Sequence, residues 1–512
     1  MLSTARCELT GTSLHMPHLL LLLFLLPVAA LGQHVTHGPV MGAMTHSTAR
    51  MYVRTDRPAM VTLQVVAQSA GVPPSIFLGR TVAERDTSVI LDLDRLRPDT
   101  RYSYLLIVEQ GADTVAGSFR TFPEPGKGDT LVFVTGSCQE TENMKVFDVM
   151  PLHRPYFLMH TGDFTYPDYQ IAPDYSKDMA GVALAYRRRY KEKRMDTMLL
   201  SIPIDYMHDD NDYVGGSGGR YCKNDMRSSK RKGKVYNEMF APTFPPHWRR
   251  NVIHGYHEYF PHYPLPDTSE GIYHRFAMGN ADFFVIDRNS AKDRPNMDAF
   301  KYDAKRNRWS FDPPPGYALF GPKQMDWLKQ EIKASKADWK FIVSGVPLNG
   351  ALKQLIDAGV RIQKWNWGGW YGFHMAWGFA QYWCAYAEER DDFMRYLKTN
   401  DIRDVLVISG DTHHNVMDDG TNAGLPEMNA SGLSVSSTEL SYYLRVIGNV
   451  SRLYDMDRIW NRGGNGLHNK NNKNAFGKVT IVGRKYVEMS IIDEDNEVIS
   501  SFRVPHSSAK AE

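Results

Sequence analysis

The chain has 512 residues, of which 42% are hydrophobic and 12% aromatic, enough for a buried core and two or three domains. Its formal net charge of +2 is close to neutral for this length. The chain therefore lacks the large excess of positive charge that is typical of proteins that bind nucleic acids or anionic membranes.

The first 32 residues have the pattern of a secretory signal peptide. Residues 19–26 form an unbroken apolar run, and the small residues Ala30 and Gly32 follow at positions that a signal peptidase reads. The run is too short to cross a bilayer. We therefore expect cleavage before Gln33, a secreted or periplasmic location, and a mature chain without a stable membrane span.

The cysteine count is odd after this cleavage. Cys7 leaves with the signal peptide, and Cys138, Cys222 and Cys384 remain. Export implies an oxidising compartment, where disulfides persist. At least one of the three thiols is nevertheless outside any internal disulfide.

Residues 33–123 predict a small all-β domain. Short alternating segments, separated by turn residues, cover 49–54, 59–65, 88–93 and 102–108. Residues 96–104, followed by 119–122, are typical of the last hairpin of an immunoglobulin or fibronectin-like sandwich. Such a domain is commonly an accessory module, and residues 123–128 predict a linker after it.

Residues 124–505 predict an α/β domain, with a layered αββα arrangement as one form of it. Continuous apolar runs, typical of strands buried on both faces, alternate with amphipathic helices at 324–333 and 390–397. Residues 479–482 and 486–492 predict a closing hairpin, and residues 506–512 a flexible tail.

Potential metal ligands follow four of these apolar runs. They are Cys138, Asp163, the stretch 208–212, and Asp411 with His413. We expect them to cluster at one edge of a sheet. A glycine precedes both Asp163 and Asp411 and lets the chain turn sharply there.

The ligand types narrow the choice of metal. Carboxylates together with a phenol at Tyr166, a thiol at Cys138 and an imidazole at His413 suit a hard trivalent ion beside a divalent one. A calcium site built from oxygen ligands alone does not need the thiol or the imidazole.

Six segments together resemble the PhoD-type alkaline phosphatase family of the metallophosphoesterase superfamily. The segments are 136–138, 162–166, 208–212, 321–328, 335–340 and 409–413. The similarity covers nearly the whole mature chain. It implies a PhoD N-terminal-like β-sandwich in 33–123 and a four-layer αββα metallophosphoesterase core in 124–505.

The resemblance also implies a ligand set for two ions. Those of an iron(III) ion would be Cys138, Asp163, Tyr166 and His413. Asp163 would bridge to a second ion, calcium or another divalent metal, and Asp210 and Asp411 would complete that second site. This use of Cys138 leaves Cys222 and Cys384 either to pair or to remain two buried thiols.

The sequence departs from the family at two places. Asn211 stands where the family has the histidine expected to donate a proton. As a catalytic-site residue its amide could still hydrogen-bond the phosphate, but it cannot supply a proton. Either His208 or His414 substitutes as the catalytic acid, or the leaving group must be good, or the activity is low. Arg288 stands one residue earlier than the family's arginine, which argues against its binding phosphate.

The function expected is therefore that of an exported metal-dependent phosphoesterase. It would hydrolyse phosphate monoesters or diesters by metal-activated water. We expect a monomer whose binding partner is its phosphate ester substrate. Two alternatives stay open: a phospholipase D-like phosphodiesterase, and a catalytically impaired secreted binding protein on the same fold.

Overall fold

The computed structural model describes residues 33–69, 71, 73–108, 113–214, 225–231, 234–240, 243–269, 271–292, 299–303, 305–306, 308–362, 369–434, 452–463 and 473–511. The expected signal peptide, residues 1–32, lies outside these residues.

The N-terminal part is an all-β sandwich of two antiparallel sheets, with strand orders β1-β2-β5 and β4-β3-β6-β7. In β6, buried and more exposed residues alternate, as a strand with one face on the core requires. The strands are β1 Val35–Gly42, β2 Ala49–Thr55, β3 Met60–Ala67, β4 Ser75–Arg80, β5 Ser88–Leu93, β6 Arg101–Val108 and β7 Thr114–Arg120.

The predicted sandwich is thus confirmed, together with its final hairpin of β6 and β7. The Tyr102 hydroxyl accepts a hydrogen bond from the backbone N–H of Arg97 at 2.7 Å, which resembles the tyrosine corner of immunoglobulin-like domains. Hydrogen bonds link the sandwich to Leu200 of the second part of the chain. The Leu200 carbonyl accepts from Ser118 N–H at 2.9 Å and from the Tyr104 hydroxyl at 3.1 Å.

The second part is built on two six-stranded sheets. The first has the order β10-β9-β8-β21-β22-β23, and the second β13-β14-β17-β18-β20-β19. The strands of the first are β8 Thr130–Gly136, β9 Leu158–His160, β10 Ile204–Tyr206, β21 Ala475–Val482, β22 Tyr486–Asp493 and β23 Val498–Pro505. Those of the second are β13 His274–Met278, β14 Ala281–Ile286, β17 Trp339–Ser344, β18 Val405–Ser409, β19 Asn415–Asp419 and β20 Pro426–Ala430.

Aromatic side chains hold the two sheets face to face. Phe133 on β8 packs edge-on against Phe283 on β14 and Phe341 on β17, with ring centroids 5.2 and 5.4 Å apart. Strands β8–β10 run parallel to one another, as do β14, β17 and β18, and connections between parallel neighbours need crossovers. The α/β class predicted from the buried apolar runs is confirmed.

Helices cover the outer face of the second sheet, where Leu328 and Phe393 share a buried cluster with Phe284 and Val407 of the sheet. Two short hairpins are formed by β11 Asp225–Arg231 with β12 Lys234–Phe240 and by β15 Phe300–Asp303 with β16 Arg308–Phe311. The α-helices are α1 Val146–Val149, α2 Pro167–Gln170, α3 Met179–Tyr190, α4 Met195–Leu199, α5 Asp210–Tyr213, α6 Pro246–Tyr259, α7 Arg288–Ala291, α8 Gly321–Ala334, α9 Lys353–Ile362, α10 Gly369–Phe379 and α11 Ala387–Thr399.

The C-terminal residues fold back onto the second sheet. Ser507–Ala511 form a turn of 3-10 helix, and Ser507 donates from its N–H and hydroxyl to the Asp404 carboxylate at 2.7 and 2.6 Å. Among the described residues, every helix falls short of the length and apolar character that crossing a bilayer requires.

Candidate metal centre

The predicted ligands lie where the ends of the two sheets meet. Cys138, Asp163 and Asp210 follow β8, β9 and β10 of the first sheet, whereas Asp411 and His413 follow β18 of the second. The sequence predicted one edge of one sheet. The centre draws on both because the sheets are stacked, so that the carboxyl ends of their parallel strands adjoin.

One group of potential ligands combines sulfur, oxygen and nitrogen. The Cys138 thiol, an Asp163 carboxylate oxygen and a His413 ring nitrogen all lie within 4.8 Å of one another. The Tyr166 hydroxyl adjoins the same group, since it donates to Asp163 Oδ2 at 3.0 Å. Four side chains of the kind that hold a hard, positively charged transition metal are therefore brought together.

A second group consists of carboxylates alone. Oxygens of Asp163, Asp209, Asp210 and Asp411 lie within 4.8 Å of one another. Asp163 belongs to both groups, which is the arrangement of a carboxylate that bridges two cations. Asp209 belongs to the stretch 208–212 of potential ligands, but it was not in the ligand set that the family resemblance implies.

The backbone at the centre is strained at successive ligands. Left-handed φ values occur at Cys138 (60°), Asp163 (56°), Tyr166 (44°), Asp411 (71°) and His413 (56°). Non-glycine residues adopt this region uncommonly. Such strain persists only where the surrounding structure enforces it, and it concentrates at functional sites.

The two glycines that precede ligands serve different purposes. Gly162 has a φ of +99°, and a Cβ there would lie 2.4 Å from the Cβ of Asp209. Gly410 lacks a positive φ, but a Cβ there would lie 2.6 Å from Ser137 Oγ and 2.7 Å from the Thr161 carbonyl oxygen. The first glycine therefore makes the turn, and the second lets the ligand loops approach one another closely.

Asp212 holds the loop that carries Asp163. Its Oδ1 accepts from the N–H groups of Phe164 and Thr165 at 3.0 and 2.7 Å, and from the Thr165 hydroxyl at 2.8 Å. Its Oδ2 accepts from Asp209 N–H at 3.2 Å, half of a capping box at the start of α5. Asp212 belongs to the stretch 208–212 of potential ligands, but in the structure it caps α5 and holds this loop.

Asn211 lies against the shared carboxylate. Its N–H donates to Asp163 Oδ1 at 3.1 Å, and its side-chain amide donates to Asp163 Oδ2 at 2.9 Å. The same N–H reaches Asp210 Oδ1 at 3.0 Å. Asn211 therefore orients both carboxylates through donated hydrogen bonds.

The two histidines considered as substitute acids lie outside both ligand groups. The His208 ring is 1% exposed and packs edge-on against Tyr206 and Tyr256, and burial lowers its pKa. His414 Nδ1 lies 2.6 Å from the Thr412 carbonyl oxygen, and burial lowers the pKa of His414 to about 4. Both rings are thus neutral at neutral pH.

Arg288, the first residue of α7, reaches into the acidic group. It is fully buried, and its Nε and Nη2 lie 2.7 and 2.5 Å from Asp209 Oδ1. Nη2 is also 3.8 Å from Asp210 Oδ1 and 3.6 Å from Asp411 Oδ2. The sequence gave no signal of this contact between Arg288 and the carboxylates.

The electrostatics of the centre favour a bound cation. Burial, and then the neighbouring charges of Asp210 and Asp209, raise the pKa of Asp163 well above its usual value. Burial and Asp163 likewise raise the pKa of the Cys138 thiol and the Tyr166 phenol. A metal ion reverses this balance because it stabilises the charged form of every ligand around it. The donor set present therefore fits a metal centre.

The other cysteines were left as a pair or as two buried thiols. Cys384 is a buried free thiol whose Sγ lies 3.5 Å from the Phe379 carbonyl oxygen, which agrees with the unpaired alternative. Cys222 lies outside the described residues.

Two solved structures share the fold. The structure of PhoD covers 93% of this chain and 90% of its own, with a TM-score of 0.61 and 16% identity. The purple acid phosphatase PPD1 from yellow lupin (Lupinus luteus) seeds covers 91% of this chain and 74% of its own, with a TM-score of 0.52 and 12% identity. At these identities the likeness establishes the fold alone.

Sequence comparison gives the family. Alkaline phosphatase D of Bacillus subtilis (strain 168) is 24% identical over 357 residues, which is 64% of this chain and about half, 53%, of that relative's length. The family model described as PhoD-like phosphatase matches residues 131–447, more than half of the chain, and this match contains every predicted metal ligand. The chain therefore belongs to the PhoD-like phosphatase family.

Proposed function

We propose that this chain is an exported, metal-dependent phosphoesterase that hydrolyses phosphate monoesters or diesters. Membership of a phosphatase family supports the reaction class. Export is proposed from residues 1–32, whose sequence has the pattern of a signal peptide. The observation that carries the metal dependence is the position of Asp163 in both groups of potential ligands.

The proposed ion of the first group is iron(III), held by Cys138, Asp163, Tyr166 and His413. A thiol, a phenol and an imidazole around one carboxylate support this assignment, since calcium alone would need only oxygen ligands. The proposed second ion is calcium or another divalent metal, held by Asp163, Asp210 and Asp411. Ions bound in this way supply activation of water and neutralisation of charge on the phosphoryl oxygens.

The chain's own residues orient these ligands and limit the chemistry. Asn211 fixes the Asp163 carboxylate by two donated hydrogen bonds, and Asp212 fixes the loop between Asp163 and Tyr166. An amide cannot give a proton to a departing alkoxide. His208 and His414 are neutral at neutral pH and so are poorly suited to this task. We therefore propose that esters with good leaving groups are the best substrates.

Asn211 also motivates a rival proposal. A family member without its proton donor could serve as a secreted binding protein, with the N-terminal sandwich as its interaction module. The two ligand groups that share Asp163 favour the enzyme, because a protein that only binds a partner through its sandwich has no need of a two-ion centre.

The test combines metal content, colour and turnover. Protein expressed with iron and calcium should contain iron and should be purple or brown from charge transfer between Tyr166 and iron(III). It should also hydrolyse an activated aryl phosphate. In the matched control Tyr166→Phe, the colour should be lost while the protein remains folded. An iron-free, colourless and inert parent protein would overturn the proposal and leave the binding protein as the explanation.

A further inference from the structure

The backbone that presents Arg288 is fixed from several sides. Asp287 caps the helix by accepting from Ser290 N–H at 3.0 Å, and its Oδ2 accepts from Ile272 N–H at 3.0 Å. Gln324 accepts from Asp287 N–H at 2.6 Å and donates to the Asp287 carbonyl at 2.8 Å. The arginine at the next position is therefore held toward the acidic group by a well-anchored turn.

Its guanidinium contacts the carboxylates unequally. The contacts with Asp209 are the shortest, at 2.5 and 2.7 Å, and those with Asp411 and Asp210 are longer, at 3.6 and 3.8 Å. A divalent cation bound by both Asp210 and Asp411 would lie about 2.0–2.6 Å from an oxygen of each carboxylate. The guanidinium and such a cation therefore compete for the same carboxylates.

Asp209 would remain the partner of Arg288 when a cation takes Asp210 and Asp411 from it. It is fully buried, and its Oδ2 has no hydrogen-bond partner within the described part of the chain. The Asn289 amide lies 3.4 Å from Oδ1 of the same carboxylate. A buried carboxylate needs a positive partner, and Arg288 supplies one that does not depend on metal.

We propose that Arg288 is a built-in cation of the second ligand group, which competes with the second metal ion and weakens its binding. On this view the first ion is retained, whereas the second binds weakly and exchanges readily. The four carboxylates of the second group outnumber the one guanidinium, so a metal ion is still attracted. The inference rests on the proposed metal-dependent function and adds to it the unequal affinity of the two sites.

The experiment measures metal binding directly. Iron-loaded protein is freed of calcium by gel filtration, and calcium binding is then measured by titration calorimetry. We expect Arg288→Gln to bind calcium at least about tenfold more tightly than the parent, because a competing buried charge has been removed. Arg249→Gln is the matched control: Arg249 is a buried arginine that donates to the Ser269 carbonyl at 3.1 Å, and its loss should leave calcium affinity unchanged.

Arg288→Lys is a second variant in case Arg288→Gln fails to fold, because it keeps a positive charge beside Asp209. The lysine side chain reaches less far toward Asp210 and Asp411, so this variant should still bind calcium several-fold more tightly than the parent. Equal or weaker calcium affinity in both Arg288 variants, or in the lysine variant alone if the other is insoluble, would overturn the inference. Iron content is measured in the same samples. Iron present with unchanged calcium affinity removes only the inference, whereas an absence of iron in every sample removes the proposed function as well.

Discussion

Glu427 on β20 is a buried carboxyl group whose pKa should make the free energy of unfolding depend on pH. It is 1% exposed, and its Oε1 accepts from the Ser409 hydroxyl at 2.6 Å and from Leu348 N–H at 3.1 Å. Burial raises the pKa of Glu427 from 4.5 to about 8. At about 1.4 kcal/mol per pKa unit, the folded protein is roughly 5 kcal/mol more stable against unfolding with Glu427 protonated than with Glu427 ionised.

The sign follows from proton linkage. Because the folded pKa lies above the unfolded one, the stabilisation is complete below about pH 4.5 and is lost as the pH rises toward about 8. Glu427→Gln keeps the shape and an acceptor but removes the titration. Relative to this variant, the parent should lose about 3 kcal/mol of unfolding free energy between about pH 5.5 and about pH 8.5.

Urea unfolding of both proteins at several pH values in this range measures the difference. Other carboxylates titrate as well, but they are shared by the two proteins and cancel in the comparison. Parallel stability curves for parent and variant would refute the reasoning, because they would mean that Glu427 has an ordinary pKa in the folded protein.

Two further substitutions address the centre itself. Asn211→His should raise turnover by about tenfold or more on alkyl phosphates, whose leaving groups need a proton, and much less on activated aryl phosphates; an equal effect on both would contradict the proton-donor argument. Asp212→Asn keeps one acceptor oxygen for Thr165 but replaces the other, so that an amide donor faces the N–H groups of Phe164 and Asp209. The variant should cost about 2 kcal/mol in urea unfolding and loosen metal retention; unchanged stability would show that this carboxylate does not hold the loop.

The fold was predictable where local pattern and tertiary environment agree. The run that became β18 is buried at all five positions, and its apolar sequence alone indicated a central strand. Strands β1 and β4 were missed because Gly38 and Pro39 interrupt the first, and every residue of the second is at least partly exposed. At the C-terminus a hairpin was predicted, whereas β21, β22 and β23 form three consecutive antiparallel strands.

The candidate site was predictable only in part. Cys138, Asp163, Asp411 and His413 follow apolar runs directly, so sequence spacing located them. The contacts of Asp209, Asp212 and Arg288 were not foreseen, because they depend on how loops from separate strands meet. A hydrogen bond between residues 48 positions apart, such as that from Phe164 to Asp212, leaves no local trace in the sequence.

The position of β21 bears on how the chain reaches its folded state. This strand lies between β8 and β22, so the beginning and the end of the second domain are neighbours in one sheet. A ribosome must therefore release almost the entire polypeptide before β8 gains this partner, and pairing across so long a separation is slow. Truncation before residue 475 would remove three of the six strands of that sheet.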